Sequence, residues 1–189
     1  MEAMSRVAAG ELANAFCFIG AGGHHAGRNF FGGYCCFNDV VIALRQARRT
    51  GRLRRVAILD TDAHHGDGTR DLVEADPDVL HVCVCGSDYA PPEGTKVDVA
   101  APDPWSLNGS PDEAYLELVR QAFPARADRF RPDLIVWYFG FDTHRGDYGD
   151  LGLTSAAYLG IADVMLETAG RVCGGKLLVV LGGGSRTDL

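Results

Sequence analysis

The sequence predicts an α/β fold with a doubly wound, mostly parallel sheet and helices on both faces, giving three αβα layers. Three observations predict it. Apolar runs bounded by glycine or aspartate recur along the chain, most are nearly continuous rather than alternating, and segments with helical ends lie between them. Continuous apolar strands are typical of parallel sheets covered on both faces, and the alternation of strands with helices indicates the layered class.

Five apolar runs are the predicted strands. They comprise residues 16–19, 56–59, 79–85, 134–139 and 177–181. A further segment, residues 90–111, holds five prolines and is predicted to be rich in loops.

Three predicted helices have recognisable ends. Asn38 is a suitable N-cap for a helix that stops near Gly51, because its side-chain oxygen can accept a backbone hydrogen bond. Ser110 opens a capping box with proline at the first helical position. Thr154 begins a third helix, which ends at Gly174.

The composition fits a single domain over residues 1–189, since 47% of the residues are hydrophobic and can fill a core.

The net charge of −7 makes the chain a poor candidate for binding nucleic-acid phosphates. The arginines between positions 45 and 55 are interpreted as cations near a helix C-terminus. No apolar stretch has the length of a membrane span. Neither nucleic acid nor a membrane is therefore an expected partner.

Six cysteines occur without a C-x-x-C pair, and three of them lie in or beside apolar, strand-like runs. This usage predicts thiols in a reducing compartment rather than a disulfide framework. The cytoplasm is therefore the expected location.

Polar motifs follow the ends of four predicted strands. His24 and His25 follow the first run, and Asp60 opens the motif Asp-Thr-Asp-Ala-His-His-Gly-Asp-Gly-Thr after the second. Asp142 follows the fourth run, and a turn of three glycines, residues 182–184, follows the fifth. Ligands of open α/β sheets bind beyond the carboxyl ends of the strands, so these segments are expected to meet.

The aspartate-rich motif has the pattern of a metal site. Asp60, Asp62 and His64 stand at every second position, so an extended backbone aims all three to one side. Carboxylates and imidazoles are ligands of divalent cations. The competing interpretation is that Asp62 and His64 cap a turn, and the position after a predicted strand favours the metal site.

Four motifs in this order resemble the histone deacetylase and acetylpolyamine amidohydrolase superfamily. They lie at residues 23–26, 33–39, 60–69 and 140–144, and the resemblance covers about residues 20–181. It implies an arginase/deacetylase-like fold. It also implies metal-dependent hydrolysis of an acylated amine, such as acetyl-lysine in a protein or an acetylpolyamine.

The resemblance implies a metal centre with Asp62, His64 and Asp142 as ligands. The implied metal is zinc, with ferrous iron or manganese as alternatives because the ligand set is rich in oxygen. A potassium ion beneath the metal loop, held partly by the Asp60 carboxylate, is a further implied cofactor.

The resemblance also implies how protons move and how substrate is held. His24 and His25 would form the acid–base pair, oriented by Asp60 and Asp67 respectively. Two further residues would line the narrow channel for the acylated side chain, namely Gly33 and Tyr34.

The chain departs from the family after the glycine turn, where a tyrosine usually stabilises the oxyanion. Depending on the register, Ser185 or Arg186 stands there instead. The hypothesis is that Arg186 supplies a cation to the same oxygen, since guanidinium groups suit anionic oxygens. Family chains also extend further at both ends, so we expect an incomplete domain or else a reduced version of the fold.

The leading functional prediction is a zinc-dependent deacetylase or amidohydrolase that removes an acetyl or other short acyl group from an amine. The alternative is a binding module for acylated amines that has lost catalytic power with the tyrosine. An arginase-like hydrolase fits the fold class but requires ligands for two metals. The sequence leaves the oligomeric state open.

Overall fold

A single sheet organises the chain. The computed structural model describes residues 1–20, 22–85 and 94–187. Six strands form the sheet, and every pairing is parallel, which confirms the predicted fold class. They are β1 (Asn14–Cys17), β2 (Val56–Asp60), β3 (Val79–Cys85), β4 (Lys96–Ala100), β5 (Leu134–Phe139) and β6 (Leu177–Leu181), in the spatial order β1-β6-β5-β2-β3-β4.

Helices cover both faces of the sheet. They are α1 (Glu2–Ala8), α2 (Asp39–Arg48), α3 (Asp67–Val73), α4 (Pro111–Ala122), α5 (Pro124–Phe130) and α6 (Ser155–Cys173). One core lies between the sheet and α4, α5 and α6, and a second lies between the opposite face and α1 and α2. None of the helices within the described ranges combines the length and the hydrophobicity that crossing a membrane requires.

Strand β2 explains why the apolar runs are continuous. Ala57 and Leu59 belong to the core under α4 to α6, whereas Val56 and Ile58 belong to the core under α1 and α2. Successive side chains of a strand point to opposite faces, so a strand with two covered faces needs an apolar residue at every position.

Strand β4 corrects one prediction, because it lies in the segment expected to be loop. Its sequence, Lys-Val-Asp-Val-Ala, lacks a continuous apolar run, yet Lys96 and Asp98 are buried. The Lys96 ammonium donates to the carbonyl of Val79 at 2.8 Å, and Asp98 accepts from Arg70. These partners make the buried charges tolerable. Residues 90–93 of the same segment lie outside the described residues.

The helix ends agree with the sequence, while the bounds of two strands differ. The side chains of Asn38, Ser110 and Thr154 accept backbone N–H bonds at the starts of α2, α4 and α6. Gly174 ends α6 with φ 64°, in the left-handed region that glycine adopts readily. Strand β1 comprises Asn14–Cys17 rather than residues 16–19, and β2 ends one residue later than predicted, at Asp60.

The topology brings the chemically distinctive loops together. Strands β1, β6, β5 and β2 are consecutive neighbours in the sheet, and their carboxyl ends lie at one edge. The loops that follow them carry the histidine pair, the glycine turn, Asp142 and the aspartate-rich motif. This edge is therefore where a site must be sought.

Asn38 ties this edge to α2. Its Oδ1 accepts the Val41 N–H at 3.1 Å, while its Nδ2 donates to the Ala26 carbonyl at 3.2 Å and to the Thr69 hydroxyl at 3.0 Å. All three bonds are buried. Asn38 therefore joins the helix start to the loop that carries the histidine pair.

We predict that Asn38→Ala lowers the free energy of unfolding by about 2–4 kcal/mol, because a cap is lost and buried polar partners become unsatisfied. The matched control is Ser110→Ala, an exposed cap, with an expected loss of about 1 kcal/mol. Urea unfolding followed by circular dichroism measures both. Equal losses would contradict the role given to Asn38.

Candidate active site

Two carboxylates and an imidazole converge beyond β2 and β5. Asp62, His64 and Asp142 each offer one ligand atom, and these atoms lie within 4.8 Å of one another. The His64 Nδ1 lies 3.2 Å from Asp62 Oδ1 and 2.9 Å from Asp142 Oδ2. The carboxylates are buried, whereas the imidazole is half-exposed. The structure thus brings together the three residues predicted as metal ligands.

Backbone N–H groups hold these carboxylates in place. Asp62 accepts from the N–H of His64 at 3.0 Å and from that of Gly183 at 2.9 Å. Asp142 accepts from the N–H of Ala63 at 3.1 Å. Each carboxylate is therefore held by a segment that follows another strand, and Asp62 is held in addition by His64 of its own loop.

The arrangement fits a divalent cation. Asp142 Oδ2 is buried and receives no hydrogen bond from the described residues, although His64 Nδ1 is near. Burial, followed by the negative charge of Asp62, raises the pKa of Asp142 to about 7. A buried carboxylate beside a like charge lacks a compensating positive charge. Two carboxylate oxygens and one imidazole nitrogen are a suitable donor set for zinc.

His24 lies against this cluster and is almost fully buried. Its Nδ1 contacts Asp60 Oδ2 at 2.9 Å, its Nε2 lies 3.6 Å from Asp62 Oδ1, and its ring stacks on Tyr138 at 4.6 Å. Burial works to lower the pKa of His24, but the charge of Asp60 and its hydrogen bond, with Asp62 and Asp142 adding, raise it to about 9. Conversely, burial disfavours the ionised Asp60, but His24 holds the Asp60 pKa below its usual value.

His25 makes a separate pair with Asp67. Its Nδ1 lies 2.7 Å from Asp67 Oδ1, and its ring centroid is 4.1 Å from that of His24 and 6.1 Å from that of His64. Asp67 is the first residue of α3. Both histidines therefore have the carboxylate partners that the sequence predicted, with His25 nearer to solvent.

A cavity of about 420 Å³ opens in front of the cluster. Its lining includes Gly33, Tyr34, Tyr148 and the three glycines 182–184. A Cβ on Gly33 would stand 2.2 Å from the His25 ring, so only glycine allows the approach. Tyr34 is 95% exposed at the rim with φ 63°. The predicted channel residues therefore line a cavity beside the histidine pair.

Asp147 holds the segment after the glycine turn. Its carboxylate accepts from the N–H and hydroxyl of Ser185, both at 2.9 Å, and from the N–H of Arg186 at 3.0 Å. The Arg186 guanidinium donates to the Arg145 carbonyl at 3.1 Å. The contacts seen for Ser185 and Arg186 therefore lie on the loop after β5 and not on the three predicted ligands.

Sequence reasoning missed Tyr148. Its hydroxyl accepts the N–H of Gly184 at 2.9 Å, and its ring lies 5.7 Å from that of His64. Burial, followed by the charge of Asp142, raises the pKa of Tyr148 to about 12, so the phenol is protonated at neutral pH. Its position six residues after Asp142 was the only available signal.

A second cluster contains residue types that bind metals, but the charge of its carboxylate is already balanced by an arginine. His65, Cys85 and Asp98 offer atoms within 4.8 Å of one another. Arg70, however, donates to both oxygens of Asp98, at 3.1 and 2.5 Å. A guanidinium that occupies a carboxylate in this way supplies the positive charge that a cation would bring. The cluster beyond β2 and β5 is therefore the candidate centre.

Comparison with known proteins finds histone deacetylases and a related amidohydrolase among the relatives of this chain. The chain is 33% identical over 187 residues to histone deacetylase 15 of Arabidopsis thaliana, covering 93% of this chain and 33% of that protein. It is 31% identical over 193 residues to a histone deacetylase-like amidohydrolase of Pseudomonas aeruginosa, covering 97% and 51%. The chain thus spans about a third to a half of these relatives.

Structure comparison gives the same result. The crystal structure of the HDA15 HD domain superposes with a TM-score of 0.79 and 30% identity, covering 98% of this chain and 54% of that one. The model of the histone deacetylase domain family matches residues 1–188. This chain therefore belongs to the histone deacetylase domain family.

Proposed function

We propose that the chain hydrolyses an acylated amine at a metal centre held by Asp62, His64 and Asp142. The observation that carries the proposal is the convergence of these ligand atoms with His24, whose Nε2 lies 3.6 Å from Asp62. The proposed substrate is an amine that carries an acetyl or other short acyl group, such as acetyl-lysine in a protein or an acetylpolyamine. Relatives named as deacetylases and amidohydrolases support the reaction class.

Zinc is the proposed metal, with ferrous iron or manganese as alternatives. When bound, it supplies Lewis-acid chemistry, polarising a carbonyl and acidifying water. A potassium ion near Asp60 is a further proposal, which rests on family resemblance. The cytoplasm is the proposed location because the cysteine usage suits a reducing compartment.

The histidine pair supplies the proton transfers of the hydrolysis. A water oxygen bonds to the acyl carbon and gives a proton to one histidine, then the carbon–nitrogen bond breaks and the amine takes up a proton. One histidine acts as the base, and its neighbour provides positive charge or the proton. Asp60 and Asp67 hold the Nδ1 atoms, which fixes the tautomers and leaves the Nε2 atoms for the reaction.

The cavity favours an unbranched alkyl amine that carries the acyl group at its end. Gly33 keeps the channel wall close to His25, and the exposed ring of Tyr34 offers apolar surface at the rim. A thin alkyl stem could lie along these surfaces while the acyl group reaches the bottom near His64. The charged or polymeric remainder of the substrate would stay in solvent.

We predict that His25→Ala lowers kcat on an acetyl-lysine peptide or N-acetylputrescine by about 100- to 10,000-fold in metal-loaded protein, because a proton carrier is lost. Zinc content, measured by atomic absorption, should be unchanged, since His25 is not among the ligands. The control is His144→Ala, whose imidazole contacts the Arg145 carbonyl instead; it should retain activity. Substrate binding without turnover by the wild-type protein would overturn hydrolysis and favour the binding module.

We predict that Asp142→Asn stabilises the metal-free protein at neutral pH. The native carboxyl keeps its proton up to about pH 7, whereas the ordinary pKa is 3.8. The unfolded chain therefore binds fewer protons than the native chain between these values, and the wild type loses stability as pH rises through this window. The gain from Asp142→Asn should grow from pH 4 to pH 7 in urea unfolding with a chelator present.

The same pair of proteins tests metal binding. Saturating zinc should raise the melting temperature of the wild type, because a ligand that binds only the native state stabilises it. Asp142→Asn should lose most of this rise. Asp128→Asn, which removes an exposed partner of Arg171, is the control and should keep it. A full zinc response in Asp142→Asn would remove Asp142 from the ligand set.

A further inference from the structure

Hydrolysis of an amide places negative charge on the carbonyl oxygen, so the site needs a hydrogen-bond donor there. The sequence offered Ser185 and Arg186 for this task. In the structure, the Ser185 hydroxyl donates to Asp147 and the Arg186 guanidinium to the Arg145 carbonyl. Both side chains therefore bond to the loop after β5, and the cavity lining includes Tyr148 but not Arg186, which makes Tyr148 the better-placed donor.

Tyr148 stands where such a donor is needed. A Cβ on Gly183 would lie 2.6 Å from Asp62 Oδ2 and 2.7 Å from the Tyr148 hydroxyl, so both oxygens lie beside the same point of the glycine turn. The ring faces His64 at 5.7 Å, and the side chain lines the 420 Å³ cavity. Tyr148 is 59% exposed, so a substrate entering the cavity can reach it.

The local hydrogen bonding leaves Tyr148 ready to donate. A phenol has one O–H to give and accepts through its oxygen. The N–H of Gly184 occupies the accepting side at 2.9 Å, which fixes the oxygen against the turn. The backbone N–H of Tyr148 donates to Asp147 at 2.7 Å, which holds the start of the side chain. Tyr148 is thus held at its backbone and at its hydroxyl oxygen, while the hydroxyl proton remains for a substrate.

We propose that the Tyr148 hydroxyl donates a hydrogen bond to the substrate carbonyl oxygen as that oxygen becomes an oxyanion. This inference rests on the proposed hydrolytic function. It gives the task to a tyrosine on the loop after β5 rather than to Ser185 or Arg186, which follow the glycine turn. Tyr148 is then a catalytic residue of this chain, and Ser185 and Arg186 position the turn.

The test compares Tyr148→Phe with the wild type in zinc-loaded full chain acting on an acetyl-lysine peptide. Loss of one oxyanion donor should lower kcat by about 100-fold and leave KM within about threefold. A phosphonamidate analogue of the tetrahedral intermediate should bind more weakly by a similar factor in calorimetry, whereas zinc content stays constant. Tyr148→His, which restores a donor, should recover part of kcat.

Two comparisons separate this role from packing. Tyr158→Phe removes a hydroxyl that bonds to Thr143 and the Phe141 carbonyl outside the cavity, and it should affect stability rather than kcat. Arg186→Ala should reduce kcat less than Tyr148→Phe does. The inference about Tyr148 is overturned, and the proposed function is not, if Tyr148→Phe keeps a kcat near that of the wild type. A larger loss of kcat in Arg186→Ala than in Tyr148→Phe has the same consequence. Absence of wild-type turnover overturns the proposed function and this inference with it.

Discussion

The site depends on holding two like-charged carboxylates, Asp62 and Asp142, side by side at the buried edge of the sheet. Three glycines make this approach possible, because a Cβ at any of them would lie 2.6 to 2.9 Å from one of the carboxylate oxygens. They are Gly140, Gly149 and Gly183. Backbone N–H groups stabilise the carboxylates, yet Asp142 Oδ2 remains unsatisfied among the described residues. The buried carboxylate pair therefore lacks a compensating positive charge, which a divalent cation would supply.

The adjacent histidines differ because their partners come from opposite ends of one motif. Asp60 ends β2 inside the protein, whereas Asp67 begins α3 at the surface. His24 is consequently enclosed between Asp60 and Tyr138, while the side chain of His25 keeps a fifth of its surface in solvent. Although burial opposes it, the buried carboxylates around His24 raise its pKa to about 9, so this ring favours the charged form in the interior.

The sequence predicted what depends on local pattern and missed what depends on distant partners. Apolar runs identified five strands, four of which are continuous because two cores demand it, whereas the edge strand β1 alternates between exposed and half-buried residues. Capping side chains marked three helix starts. Strand β4 was missed because Lys96 and Asp98 look exposed until their partners are known. The ligand and histidine residues carried their own motifs. Tyr148 had none, since its place in the site comes from bonds to Asp147 and Gly184.

The loop after β5 and the glycine turn after β6 behave as one unit. Asp147 accepts from residues 185 and 186, and Tyr148 accepts from Gly184, so four hydrogen bonds join segments nearly forty residues apart. The same loop delivers Asp142. The loop after β5 therefore positions both the proposed ligand Asp142 and residues 184–186, at and after the glycine turn. In such a unit an oxyanion donor can come from either segment, because each is held rigidly against the other. The proposed acid–base pair and ligand set would then not require a tyrosine directly after the turn.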